Sequence, residues 1–145
     1  MTVFVCEPGY EGILSCIYDA GMSKIPQDET APGDQKQRTE CRTFFSSYVE
    51  CVPSSEKVKK VMETVRRHLN SRIQEQLYVV CLSEDILRAD KIYRYLKVLF
   101  LRGASAADQL QIPAVYKVFK LCRSVYNEKH QLLNFCVFPD CRKAF

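Results

Sequence analysis

Thr2-Val3-Phe4-Val5-Cys6, then Glu7-Pro8-Gly9, then Tyr10-Glu11-Gly12-Ile13-Leu14-Ser15-Cys16-Ile17-Tyr18-Asp19-Ala20-Gly21-Met22 carries the pattern of a strand, a turn and a helix in succession. The first five residues are rich in β-branched and aromatic side chains and stop at a Pro-Gly pair, so they read as a strand and a turn. Tyr10–Met22 then places Ile13, Leu14, Ile17 and Tyr18 at helical spacing. Residues 23–42 read as a loop, because they hold Pro26, Pro32, Gly33 and many polar side chains. Phe44–Val52 recovers strand character and ends at Pro53-Ser54-Ser55. The expected opening is therefore a β-α-β unit. Two strands alone are marginal, so the sheet needs a third strand or a covering layer.

From Ser54 the pattern turns helical. Val58, Val61, Met62, Val65 and Leu69 form an apolar stripe, while Lys57, Lys59, Lys60, Arg66 and Arg67 stay polar. A break at Asn70-Ser71 precedes a second helix through Ile73, Leu77, Val80 and Cys81. Ser83 is placed to cap a third helix, with Glu84 and Asp85 at its positive end. That helix should bury Ala89, Ile92, Tyr93, Leu96, Leu99 and Phe100 and stop at Gly103. Ser105-Ala106-Ala107-Asp108 fits a capping box for a short turn, and Pro113 suits the first position of a final helix. The fold class is α+β: a small N-terminal β-α-β unit followed by a mainly helical bundle of about four helices. The whole chain, 1–145, is expected to be one domain, with a β-α-β portion over 1–54 and a helical portion over 55–135.

The final helix carries the most distinctive polar pattern. Lys120, Arg123, Asn127, His130 and Asn134 are spaced three or four apart and so share one face. Val115, Val118, Phe119, Cys122, Val125 and Leu132 or Leu133 are expected to face the core. Lys120, Arg123, Asn127 and His130 form a candidate anion or nucleic-acid site. Glu128 and His130 are the candidate catalytic pair by residue type, although a separation of two sets them about 200° apart on a helix. Any partner of either must come from another element, and the structural alternative places Glu128 in a buried ion pair and His130 in a polar contact. A second candidate stripe holds Arg88, Lys91, Tyr95 and Arg102, while Tyr93, Arg94, Tyr95 and Lys97 interleave aromatics with cations. Tyrosines at that spacing also suit the rim of a core. His68 follows Arg66-Arg67 at a helix end, where the dipole accounts for cations.

Charge is asymmetric. Residues 1–54 contain 4 Lys+Arg against 8 Asp+Glu, and residues 55–131 contain 15 against 8. A basic helical portion suits a polyanion, because phosphate contacts release counterions. It also suits an ordinary solvated helix surface, since Lys and Arg are good helix formers.

The 8 cysteines lie at 6, 16, 41, 51, 81, 122, 136 and 141, without a C-x-x-C pair. Only Cys136 and Cys141 are near neighbours, and two ligands close no zinc site. Cys6, Cys16, Cys51, Cys81 and Cys122 fall at apolar positions, as reduced structural thiols do. No metal and no cofactor is expected: a phosphate-cradling Gly loop, G-x-S-x-G and a metal-ligand run are all missing. The apolar runs fall far short of the ~18 residues a membrane span requires. The acidic residues soon after the first apolar segment argue against a signal peptide, so the expected compartment is the cytoplasm.

Several segments together resemble a bacterial family of probable DNA metabolism proteins. They are Thr2–Glu7, Gly12-Ile13-Leu14, Ile17-Tyr18-Asp19-Ala20, Leu82-Ser83-Glu84-Asp85, Arg88–Leu96, Pro113–Phe119 and Val125-Tyr126-Asn127-Glu128-Lys129-His130, spread over residues 1–135. Members of that family are typically encoded beside a radical-SAM protein, and the domain also occurs fused to uracil-DNA glycosylases. The resemblance implies a DNA-binding accessory protein in DNA repair or base modification, with DNA and the radical-SAM protein as partners. An enzyme acting on DNA or a nucleotide through Arg123, Glu128 and His130 is the alternative, as is an interaction module without catalysis. The family continues past this motif with an F-x-R-F segment and further strands. Here Val137 stands in place of the arginine, and residues 136–145 are expected to be a frameshifted tail of a truncated copy.

Overall fold

A computed structural model of the chain describes residues 2–23, 30–34 and 47–136. Strand β1 (Thr2–Cys6) runs at the centre of a three-stranded parallel sheet, between β2 (Thr30–Asp34) and β3 (Ser47–Glu50). The register sets Phe4 beside Pro32 on one side and Val49 on the other. Phe4, Val5 and Cys6 are all buried, as expected of a parallel strand covered on both faces.

The expected loop over 23–42 is corrected by β2. Thr-Ala-Pro-Gly-Asp has poor strand propensity, yet Pro32 needs no ladder partner on the outer side of an edge strand. The ladder offered by β1 overrides local preference there. Residues 24–29 and 35–46, including Phe44 and Phe45 of the expected second strand, lie outside the described residues. The described part of that strand is Ser47–Glu50, and the Cys51 amide extends its pairing by donating to the Val5 carbonyl at 2.9 Å.

Helix α1 (Tyr10–Met22) crosses back over the sheet, as the parallel β1–β2 connection requires. Two glycines allow the tight entry. Gly9 holds φ at 107°, and a Cβ on Gly12 would collide with the Glu7 carbonyl. Next come α2 (Ser55–His68), α3 (Ser71–Cys81), α4 (Arg88–Arg102), a 3-10 turn (Ala104–Asp108) and α5 (Pro113–Cys136). Helix α1 packs on the sheet and on α2, α2 packs on α3, and α3 and α4 both pack on α5. One core runs from Phe4, Leu14 and Ile17 through Val65, Leu77 and Ile92 to Val115 and Val118. The architecture is α+β, with four helices following the sheet, and among the described residues no helix is long and apolar enough to cross a membrane.

The break at Asn70 is a true cap, its side chain accepting the Ile73 amide at 2.9 Å. Two expected caps are corrected. Helix α4 starts at Arg88, and Ser83 instead accepts the Asp85 amide within the preceding turn, at 3.1 Å. Asp85 in turn accepts the Leu87 amide at 2.7 Å, which leaves its carboxylate at the helix entrance. The Ser105–Asp108 segment folds as the 3-10 turn without a side-chain cap, and Asp108 pairs with Arg72 at 2.9 Å.

Two aromatic placements also differ. Phe100 stands exposed at the end of α4, and Phe119 is exposed on α5, where Leu121 takes the expected core position. Val115, Val118, Leu121 and Cys122 centre the buried arc of α5, and at 100° per residue Phe119 falls about 100° from that centre.

Candidate functional site

The outward face of α5 gathers Tyr116, Phe119, Lys120, Arg123, Tyr126 and Asn127 within an arc of about 120°. Lys120, Arg123 and Asn127 are exposed, as their shared face anticipated. The three aromatics are partly open to solvent: Tyr116 46%, Phe119 38% and Tyr126 50%. The Lys120 ammonium lies 5.7 Å from the centre of the Tyr116 ring, a cation–π distance. Two hollows adjoin this face and share Phe119 and Arg123 as their common ridge. One, of about 530 Å³, is lined by Tyr116, Lys120, Asn127 and Glu128; the other, of about 370 Å³, reaches Gln76, Cys122 and Tyr126, with Arg72 and Glu75 on its α3 side.

Glu128 is exposed beside Arg123 and Asn127 rather than sequestered in an ion pair. The backbone of α5 continues through His130, whose side chain lies outside the described residues. With α5 helical through both, positions 128 and 130 lie about 200° apart around its axis, as their spacing requires, and the Glu128 carboxylate opens to water.

The α4 cations have a different environment. Arg88 is only 7% exposed, and its guanidinium donates to the Asp85 carbonyl at 2.9 Å. Lys91 pairs with the Asp85 carboxylate, and Arg94 pairs with Asp90 at 3.1 Å. Burial pushes the Asp85 carboxyl up, but the Lys91 ammonium, the Leu87 amide and Arg88 outweigh it and hold the carboxyl below its ordinary value. These three cations thus bind the turn before α4 and the helix itself. Tyr93 and Tyr95 are buried, and Tyr95 donates to the Gln76 side chain at 2.6 Å. The aromatic and cationic residues that α4 interleaves in sequence do not form one exposed surface. Arg102 and His68 are exposed at the ends of α4 and α2.

A third hollow, of about 300 Å³, lies between α1, α2 and α4 and is almost entirely apolar, lined by Ile17, Met22, Val61, Leu96 and Phe100. Its two lysines lie over rings, Lys60 over Tyr18 at 5.7 Å and Lys97 over Tyr93 at 5.5 Å.

The described cysteines offer no nucleophile. Cys6, Cys16, Cys51, Cys81 and Cys122 are free and buried. Hydrogen bonding with Cys51 and Cys6, then burial, pushes the Cys16 thiol far above its ordinary value, and its S–H donates to the Phe4 carbonyl at 3.1 Å. Burial raises Cys81 to about 12 and Cys122 to about 11, which keeps both protonated and unreactive. Among the described residues no group of His, Cys, Asp or Glu is arranged to hold a metal ion. The side chains of Cys41, Cys136 and Cys141 lie outside the described residues.

The exposed aromatics on α5 were missed in the sequence because Tyr116, Phe119 and Tyr126 alternate with core positions. Only the rotation of the helix against α3 and α4 separates the two sets. No protein-family model, curated protein or solved structure gives a significant match to this chain.

Proposed function

We propose that this protein binds nucleic acid through the outward face of α5. Its role would be that of a DNA-binding accessory protein in repair or base modification, beside a radical-SAM protein, as the family resemblance implies. The observation that supports the reading is the open row of Lys120, Arg123 and Asn127, without a described carboxylate bonded to Lys120 or Arg123. Helix α5 carries four Lys+Arg and one Glu, so its field favours a polyanion, and the basic excess of residues 55–131 extends that field over the helical half. Arg123 and Asn127 supply donors at a spacing of one helical turn, suited to successive phosphate or base-edge oxygens.

Fluorescence anisotropy of labelled DNA across a salt series tests the reading. Binding should weaken steeply with salt, and Lys120→Gln should reduce the logarithmic slope by about one. Affinity indifferent to salt overturns it. A pull-down with the radical-SAM protein, with and without damaged DNA, tests the partner.

A second reading, an interaction module, is supported by the apolar hollow between α1, α2 and α4. A catalytic role for Arg123, Glu128 and His130 makes a different demand. His130→Ala would have to abolish turnover while leaving the melting temperature unchanged.

A further inference from the structure

We infer that the α5 face takes unpaired bases, so that its ligand is single-stranded nucleic acid, with bases stacked on Tyr116, Phe119 and Tyr126. The inference rests on the nucleic-acid reading above and narrows it. Its ground is the balance of charge against aromatic surface at the site. Of the cations that line the two hollows, Arg72 is already paired with Asp108, and each hollow has one carboxylate in its lining, Glu75 or Glu128. That leaves Lys120 and Arg123 as the two cations of the hollows without a described carboxylate partner. Two cations give few phosphate contacts, and a duplex is held chiefly through such contacts. The rings offer what the charges do not. Three exposed aromatics on one helix face are costly to leave in water, and each presents a surface on which any base can stack.

The arrangement fits that use. Phe119 and Arg123 form a ridge with a hollow on either side, and each hollow has its own tyrosine, Tyr116 or Tyr126. At 1.5 Å per residue, Tyr116 and Tyr126 stand about 15 Å apart along the axis. Bases enter only if they are splayed from one another, which a single strand permits and a duplex forbids. Lys120, over the Tyr116 ring, and Arg123, on the ridge, then meet the backbone that links the bases.

The test uses the full chain with three labelled probes: an oligothymidylate of about fifteen nucleotides, a duplex of equal length, and an abasic strand carrying the same phosphates. The single strand should bind at least tenfold tighter than either of the other two. It should also quench tyrosine fluorescence where the abasic strand does not, a readout on the unaltered protein, which has no tryptophan. Phe119→Leu and Tyr116→Leu should each weaken the single strand roughly tenfold with abasic binding unchanged. Equal, salt-dependent affinity for all three probes overturns this inference and leaves the nucleic-acid reading standing. Absence of binding to every probe overturns both.

Discussion

Ser15 and Ser54 are hydrogen-bonded in both directions: the Ser54 amide donates to Ser15 Oγ at 2.9 Å, and the Ser15 hydroxyl returns a bond to the Ser54 carbonyl at 3.2 Å. Ser15 is fully buried in α1, and Ser54 is the residue that opens α2. The pair fixes the point where the sheet-bearing part of the chain hands over to the helices. Ser15→Ala leaves an amide and a carbonyl without that partner. The expected cost is about 1–3 kcal/mol, read as a lower urea midpoint with unchanged m-value. Unchanged stability would mean that water replaces the hydroxyl at no cost.

Gly12 and Gly21 lie on the same helix and should respond in opposite senses. A Cβ on Gly12 strikes the Glu7 carbonyl, whereas a Cβ on Gly21 meets nothing within 4 Å. Gly12→Ala should lower the melting temperature by several degrees. Gly21→Ala should raise stability by about 0.5–1 kcal/mol, because alanine loses less backbone freedom on entering a helix. Thermal melts of both variants check the pair.

Stability should fall in alkali. Cys81, Cys122 and Tyr95 are pushed up to about 12, 11 and 12 in the fold, from ordinary values of 9.0, 9.0 and 10.0. Burial is the first cause in each case. Below pH 9 these groups are protonated in both states, so their contribution is fully present. Above it the unfolded chain loses protons that the fold retains, and stability declines through pH 11–12. Urea titrations from pH 8 to 11 under reducing conditions should show this decline, and Cys81→Ala should flatten it.

Lys91 and Lys120 should separate structure from binding. Lys91→Met removes the partner of Asp85 and should cost on the order of 1 kcal/mol or less, with nucleic-acid affinity unchanged. Asp85 is held below its ordinary 3.8, so its contribution is complete above that pH and lost as pH falls beneath it. Lys91→Met should therefore also shrink the acid-side loss. Lys120→Gln should do the reverse of Lys91→Met at neutral pH, weakening binding without moving the melting temperature.

Glu128→Gln removes an exposed carboxylate from the hollow that holds Lys120 and Arg123. Nucleic-acid affinity at low salt should rise several-fold, and the gain should shrink as salt screens the site. Weaker binding in this variant would assign Glu128 a contact of its own with the ligand.

Much of the chain's organisation was legible from residue order. The turn at Pro8-Gly9, the stop at Gly103 and the start at Pro113 sit where backbone chemistry leaves few options, and each marks an observed boundary. Met62 and Val65 of α2 and Ile73, Leu77, Val80 and Cys81 of α3 are buried as helical spacing anticipated, while Val58, Val61 and Leu69 are half-buried against the same core. Strand β2 was not legible, because Thr30–Asp34 has the composition of a loop and becomes a strand through the register offered by β1. Capping by Ser83 failed for a related reason. The serine found its own turn two residues on, and α4 began after Asp85, Lys91 and Arg88 had closed that turn.

The candidate site divides along the same line. Sequence alone determined that Lys120, Arg123 and Asn127 share a face, since a period of 3.6 allows nothing else once α5 is a helix. It also determined that the helical half is basic. Tertiary packing decided which cations are open to a ligand: Lys91 and Arg94 are held by carboxylates of their own helix and turn, while Lys120 and Arg123 are exposed. Packing also decided that Tyr95 enters the core and that Tyr116, Phe119 and Tyr126 do not. An aromatic side chain carries the same apolar surface in either place. Whether it is buried depends on how each helix is rotated against its neighbours, and that rotation is fixed by contacts between residues far apart in the chain.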